Sequence, residues 1–195
     1  MHGKKSDEEL MLAYGNGDFG AFEIIYERHR GALYRYLLRQ CGKAEDAQEL
    51  SQDVWANLIR ARERYEVRAK FTTYLFRLAH NRVVDFYRKS ANNPISTSNV
   101  VVLDGEGDSD IDELPASDRE QPQQRAEFKR LGEQLLAAID QLPAVQREAF
   151  LLREEAGFTI EQIAEVTGVN RETAKSRLRY AVAKLRVSIK DEVGN

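Results

Sequence analysis

The stretch from Thr159 to Arg186, TIEQIAEVTGVNRETAKSRLRYAVAKLR, constrains this chain more than any other, because its punctuation fits two short helices joined by a tight turn. Thr159 can cap a first helix with Gln162 three residues on, Gly168 can end it in the left-handed conformation, and Asn170 can cap the second. Gly168 and Val169 then form the turn of a helix-turn-helix. In the second helix Ala174, Leu178, Ala181 and Leu185 recur at helical spacing and are expected to bury, while Glu172, Lys175, Ser176 and Arg179 form a separate polar stripe. Lys and Arg can fork onto guanine or hold phosphate, Ser can donate or accept, and Glu can accept from cytosine, so the stripe suits a DNA major groove. The same residues also fit a solvated helix hairpin, and the rest of the chain has to decide between the two.

Charge is segregated along the chain although the net value is only −3. Between Ser90 and Gln124, Asp104, Glu106, Asp108, Asp110, Asp112, Glu113, Asp118 and Glu120 face the single base Arg119, a local charge of −7. With Pro94, Pro115 and Pro122 and almost no helical period, this stretch is expected to be a flexible acidic linker, assigned to residues 91–125. Residues 159–190 instead carry seven bases against three acids. An average near neutrality therefore hides a basic C-terminal end. A single cysteine, Cys41, excludes an internal disulfide, and no apolar run approaches the ~20 residues of a membrane span. The N-terminus lacks the apolar core of a secretory signal, so a cytoplasmic location is expected.

The periodic segments on both sides of the linker are helical, which predicts an all-α protein of two small helical domains, residues 1–90 and 126–195. Ser6 can cap a first helix with Glu9, and Asp18 can open a longer one whose Phe22, Ile25, His29, Ala32 and Leu33 approximate one face. His29 is expected to be a packed or hydrogen-bonded side chain, and no histidine stands at metal-ligand spacing from another ligand. From about Ala44 to Arg64, Ala47, Leu50, Val54, Leu58 and Ala61 form an apolar stripe. The opposite face carries Asp46, Glu49 and Asp53 with Trp55 nearby. Those carboxylates fit a solvated face equally well, but a Trp among them favours an interface for a basic partner.

From about Phe71 to Lys89, Leu75, Ala79, Val83 and Phe86 line one side, and Tyr74, Arg77, Asn81, Asp85 and Arg88 line another. Rings that can stack on bases, mixed with guanidinium groups that can follow phosphates, suit single-stranded nucleic acid; completing a protein core is the other use of the same rings. After the linker, Phe128, Leu131, Leu135, Ile139 and Leu142 mark one helix, and Val145, Ala149, Leu152 and Ala156, opened by Pro143, mark the next. With the helix-turn-helix they make a four-helix domain. No phosphate loop, nucleophile elbow or His-bearing constellation is present, so neither an enzyme nor a cofactor is expected.

Three segments in this order, EDAQELSQDVWANL at Glu45–Leu58, FTTYLFRLAHNRVVDFYRK at Phe71–Lys89 and FTIEQIAEVTGVNRETAKSRLRYAVAKLR at Phe158–Arg186, resemble the bacterial sigma-70 family of RNA polymerase sigma factors, extracytoplasmic-function group. The resemblance implies that Asp46, Glu49, Asp53 and Trp55 dock on the clamp coiled coil of the largest subunit of core RNA polymerase. It implies that Phe71, Tyr74, Arg77, Asn81, Asp85 and Arg88 capture a flipped base of the minus-ten element and hold melted promoter DNA. It places Arg171, Glu172, Lys175, Ser176 and Arg179 at the minus-thirty-five element, and the acidic linker in the RNA exit path. It also implies an anti-sigma protein as regulator, and no membrane contact of the chain's own. Three positions depart from the family pattern. Gln48 replaces a frequent carboxylate, Tyr74 a frequent Trp, and Tyr180 a frequent Arg. The competing readings are a dimeric helix-turn-helix regulator that acts without polymerase, which leaves the acidic helix and linker unused, and an interaction adaptor that does not bind DNA.

Overall fold

A computed structural model describes residues 5–91 and 122–193, and all regular elements among them are helical. Helix α1 spans Asp7–Gly15, α2 Phe19–Cys41, α3 Ala44–Ala61 and α4 Phe71–Ala91; a short 3-10 turn, Arg62–Arg64, follows α3. The C-terminal half contains α5 (Pro122–Asp140), α6 (Ala144–Ala156), α7 (Ile160–Thr167) and α8 (Arg171–Val193). Most of the expected acidic linker, residues 92–121, lies outside the described residues. Its C-terminal limit shifts, because residues 122–125 already belong to α5. Pro122 opens that helix at the first helical position, where its missing N–H costs nothing.

Local chemistry fixes the starts and stops. Ser6 Oγ accepts from the Glu9 amide at 3.2 Å while Glu9 Oε2 accepts from the Ser6 amide at 2.8 Å, a complete capping box. Asp18 Oδ1 accepts from the Ala21 amide at 3.3 Å to open α2. Glu8 reaches across from α1, its Oε1 accepting from the Phe71 amide at 2.7 Å at the start of α4. Burial pushes the Glu8 carboxyl up, but the hydrogen bond from Phe71 and further local bonds outweigh it, and its pKa is lowered. The charge therefore sits where the α4 dipole favours it.

Close packing sets one position without a side chain. A Cβ on Gly15 would lie 2.7 Å from the backbone oxygen of Arg62, which no rotamer change relieves. Gly15→Ala is expected to push the 3-10 turn away from α1 and to lower stability by about 1–3 kcal/mol, measured by urea unfolding.

The two halves share one continuous core. Leu10, Met11, Ile25, Leu33, Leu37, Leu58 and Leu75 are buried in the N-terminal half, as are Leu152, Phe158, Ile163 and Ala174 in the C-terminal half. Helix α2 packs on α6, and α4 packs on α7. At the junction Phe76 meets Phe158 edge to face, with ring centroids 5.5 Å apart. Among the described residues no helix is long and apolar enough to cross a membrane.

Candidate polymerase and nucleic-acid interfaces

Helix α3 turns Ala47, Leu50, Val54 and Leu58 into the core, so its opposite side must face water. Glu49 and Asp53 are exposed and Asp46 is half-buried. Glu49 and Asp53 form no ion pair among the described residues, so both carboxylates stand free for a basic partner. Trp55 departs from the expectation. The residue is 6% exposed, with the Tyr26 ring centroid at 5.0 Å from its own and that of Phe22 at 6.0 Å. It follows Val54 directly and precedes Leu58 by three positions, which puts it on the flank of α3 turned toward α2. Burial there removes apolar ring area from water, while the indole N–H is buried with no hydrogen-bond partner among the described residues.

Helix α4 divides its six candidate residues into different environments. Arg77, Asn81 and Arg88 are exposed along one row. Tyr74 borders them, half-buried, and burial raises its pKa. Asp85 is half-buried and committed, pairing with Arg82 at 2.8 Å and Arg88 at 3.6 Å, so it orients guanidinium groups rather than offering itself to a base. Phe71 is a correction: it is fully buried, with the His29 ring centroid at 5.4 Å and that of Tyr65 at 6.3 Å. As the first residue of α4, it falls into the space that α1, α2 and the 62–70 segment enclose.

Tyr65 is a neighbour that periodicity could not find, because it lies between elements. Its ring meets Tyr74 at 5.4 Å, and its hydroxyl is buried without a hydrogen-bond partner among the described residues. Burial, then the charges of Glu8, Tyr74 and Asp7, push its pKa up to about 12. The exposed row of α4 is thus flanked by a pair of tyrosines rather than by Phe71.

The helix-turn-helix has the geometry its sequence demands. Thr159 and Gln162 form a capping box at 3.3 and 3.0 Å, Gly168 adopts φ 68°, and Asn170 Oδ1 accepts from the Thr173 amide at 2.8 Å. Ala174, Ala181 and Leu185 are buried, and Leu178 is partly buried. Arg171, Glu172, Lys175 and Arg179 are exposed, and Ser176 is half-buried beside them. Arg171 is clipped to Glu161 of α7 at 2.6 Å and to Glu172 at 3.2 Å. The Arg179 guanidinium lies over the Tyr180 ring, 5.0 Å from its centroid. Lys175, between them, has no ion pair among the described residues. Glu172, Ser176 and Tyr180 line a groove of about 370 Å³ with Val145 of α6.

The histidines of the described residues serve the fold. His29 Nε2 lies 2.7 Å from Asp7 Oδ2, and His80 Nδ1 lies 2.6 Å from Glu148 Oε1. Burial raises the Cys41 thiol pKa. Among the described residues no cluster of His, Cys, Asp and Glu could hold a metal.

A helical bundle with a free acidic face, joined to a helix-turn-helix with an exposed basic stripe, defines a DNA-binding transcription protein. Comparison with known proteins narrows the class: the family model Sigma-70 region 2 matches residues 25–93, and Sigma-70, region 4 matches residues 132–185. The chain is 32% identical over 173 residues to the ECF RNA polymerase sigma factor SigL of Mycobacterium tuberculosis, covering 86% of this chain and 88% of that protein. It is 28% identical over 166 residues to the ECF RNA polymerase sigma factor SigE of Mycolicibacterium smegmatis, covering 85% of this chain and spanning 60% of that protein's length. The chain belongs to the sigma-70 family of RNA polymerase sigma factors, in its extracytoplasmic-function group. Its fold matches that of the sigma factor RpoE from Bartonella quintana, solved in complex with the anti-sigma factor NepR, with a TM-score of 0.64 at 23% identity over 87% of this chain and 96% of that one.

Proposed function

We propose that this protein binds core RNA polymerase, recognises a promoter of two elements and assists the melting of the downstream one. Residues 1–90 would carry polymerase docking and the minus-ten element, and residues 126–195 the minus-thirty-five element. The observation that carries this reading is the exposure, on one chain, of three separate surfaces of suitable chemistry. These are the unpaired Glu49 and Asp53 on α3, the row Arg77, Asn81 and Arg88 beside Tyr74 on α4, and the stripe Glu172, Lys175 and Arg179 on α8 with the half-buried Ser176 beside it. Carboxylates fit a basic coiled coil of the polymerase, guanidinium groups follow phosphate, and the α8 stripe fits base edges in a major groove. Because the sigma factor RpoE, which shares this fold, is solved with an anti-sigma factor, the reading includes an anti-sigma partner; because promoters and core polymerase are its targets, it includes a cytoplasmic site of action.

Run-off transcription from a library of upstream sequences, with purified core polymerase and with or without this protein, tests the reading. Initiation at a shared two-element motif only when the protein is present is the expected result. No initiation and no binding to core polymerase, with tight duplex binding by the protein alone, would replace the reading by a dimeric regulator.

Asp53→Lys tests the docking face separately. Asp53 is exposed, so the fold should survive, while a like charge opposite a basic partner is expected to weaken core binding by about tenfold or more. Unchanged affinity in a folded variant would remove α3 from the interface.

A further inference from the structure

Arg171, the first residue of α8, sits between two carboxylates. Its Nε donates to Glu161 Oε1 of α7 at 2.6 Å, and its Nη1 donates to Glu172 Oε1 at 3.2 Å. Among the described residues only its Nη2 is left without a partner. An arginine that reads guanine does so with two nitrogens at once, on O6 and N7. Either such pair, Nε with Nη2 or Nη1 with Nη2, draws on a nitrogen already bonded to a carboxylate. Arg171 is therefore poorly placed to read a base itself, although it opens the helix that suits the groove.

The anchor of this arrangement lies outside α8. Glu161 is the second residue of α7, and its carboxyl is held below the usual range by Arg171 first, then by its own backbone amide and the Thr159 side chain. The turn between the helices is fixed by Gly168 at φ 68° and by the Asn170 cap on Thr173. A defined turn and a seated carboxylate give the Arg171 guanidinium one orientation, and Glu172 is tied to its far end. Among the described residues Glu172 pairs with Arg171 and not with Lys175, one turn further along. Glu161, Arg171 and Glu172 are all exposed, and exposed pairs of this kind add little to stability in water.

The same pairs matter more against DNA. A carboxylate entering a major groove meets the negative field of the phosphates, and Glu172 brings Arg171 with it as a counter-charge. Glu172 Oε2 has no partner among the described residues, and a carboxylate oxygen can only accept. In the major groove cytosine offers its N4 amino group alone. Guanine offers two acceptors, thymine one, and adenine sets its N7 acceptor beside its amino group. A carboxylate held in one place therefore favours cytosine and is repelled most by guanine and thymine.

We propose that Glu161 and Arg171 are positioning residues that aim Glu172 at the amino group of one cytosine in the upstream element, and that Arg171 makes no base contact of its own. This inference rests on the sigma-factor reading, with α8 in the major groove.

Holoenzyme assembled from the full-length protein and core polymerase, used to select duplexes randomised over the upstream element, reports preference base by base. The parent is expected to favour cytosine about tenfold at one position. Glu172→Gln should move that position from cytosine to adenine, whose edge a glutamine amide matches, and leave the other positions as they were. Glu161→Gln should weaken the cytosine preference by about threefold at that position only, with urea unfolding unchanged. Arg171→Lys keeps the charge but cannot bridge two carboxylates in one plane, and should act like Glu161→Gln. An unchanged cytosine preference in Glu172→Gln would overturn the inference, as would loss of a guanine preference at a neighbouring position in Arg171→Lys. In Glu161→Gln, an unchanged profile, or an affinity loss spread evenly over all sequences, would reduce Glu161 to a clip between helices and overturn its positioning role. A selected motif with no cytosine preference sinks this inference alone, whereas failure of the parent to bind core polymerase or to select any motif sinks the sigma-factor reading beneath it.

Discussion

Phe71→Ala should lower the unfolding free energy of the N-terminal half by about 3–5 kcal/mol, the cost of removing a fully buried aromatic ring. The ring sits between His29 and Tyr65, and the amide of the same residue donates to Glu8, so the void would open where α1, α2 and α4 meet. Trp55, the single tryptophan of the chain, lies in the same half and reports its unfolding by fluorescence in urea. A residue that only touched DNA would behave in the opposite way, with normal unfolding and defective promoter opening. Unchanged urea unfolding together with a selective loss of melting would return Phe71 to the nucleic-acid surface.

Lys175→Glu is expected to reduce affinity for the upstream promoter element by about 10- to 100-fold, in line with roughly 1–3 kcal/mol for one good base or phosphate contact. The position suits the test because its neighbours are engaged elsewhere: Arg171 is held by Glu161, and Arg179 lies over Tyr180. Lys175 is exposed, so stability should change by no more than about 0.5 kcal/mol. Affinity for core polymerase should be unaffected. Promoter binding measured against salt adds a second check, since losing a phosphate contact lowers the salt slope by about one. Equal losses of promoter and polymerase affinity would remove α8 from its assigned role.

The range over which each interaction acts decides which features the sequence disclosed. Caps act within three residues, so Ser6 with Glu9, Thr159 with Gln162, and Asn170 were legible, as were the left-handed glycine Gly168 and the buried face of α8. The start of α5 was not, because Pro122 closes a polar, proline-bearing stretch and its role as a first helical residue depends on the helix C-terminal to it. Trp55 and Phe71 show the limit of periodicity. Each lies beside a recognised stripe, and only the neighbouring helices decide whether a ring at that edge is covered. Tyr65, between helices, carried no periodic signal at all. Tyr36 and Glu148 are 112 positions apart, and no local pattern can announce that a tyrosine and a glutamate so separated will share a hydrogen bond.

The junction between the halves has a consequence in terms of mass action. Because α2 and α6 belong to the same chain, each face meets its partner at an effective concentration that dilution cannot lower, on the order of millimolar for ordinary tethers. An interface whose separated pieces would bind only with a Kd near 0.1 mM, about −5.5 kcal/mol, would thus remain some 90% closed at any protein concentration. A competing macromolecule needs only modest differential affinity to reverse that balance, and cutting the chain between its halves would turn a concentration-independent equilibrium into a bimolecular one.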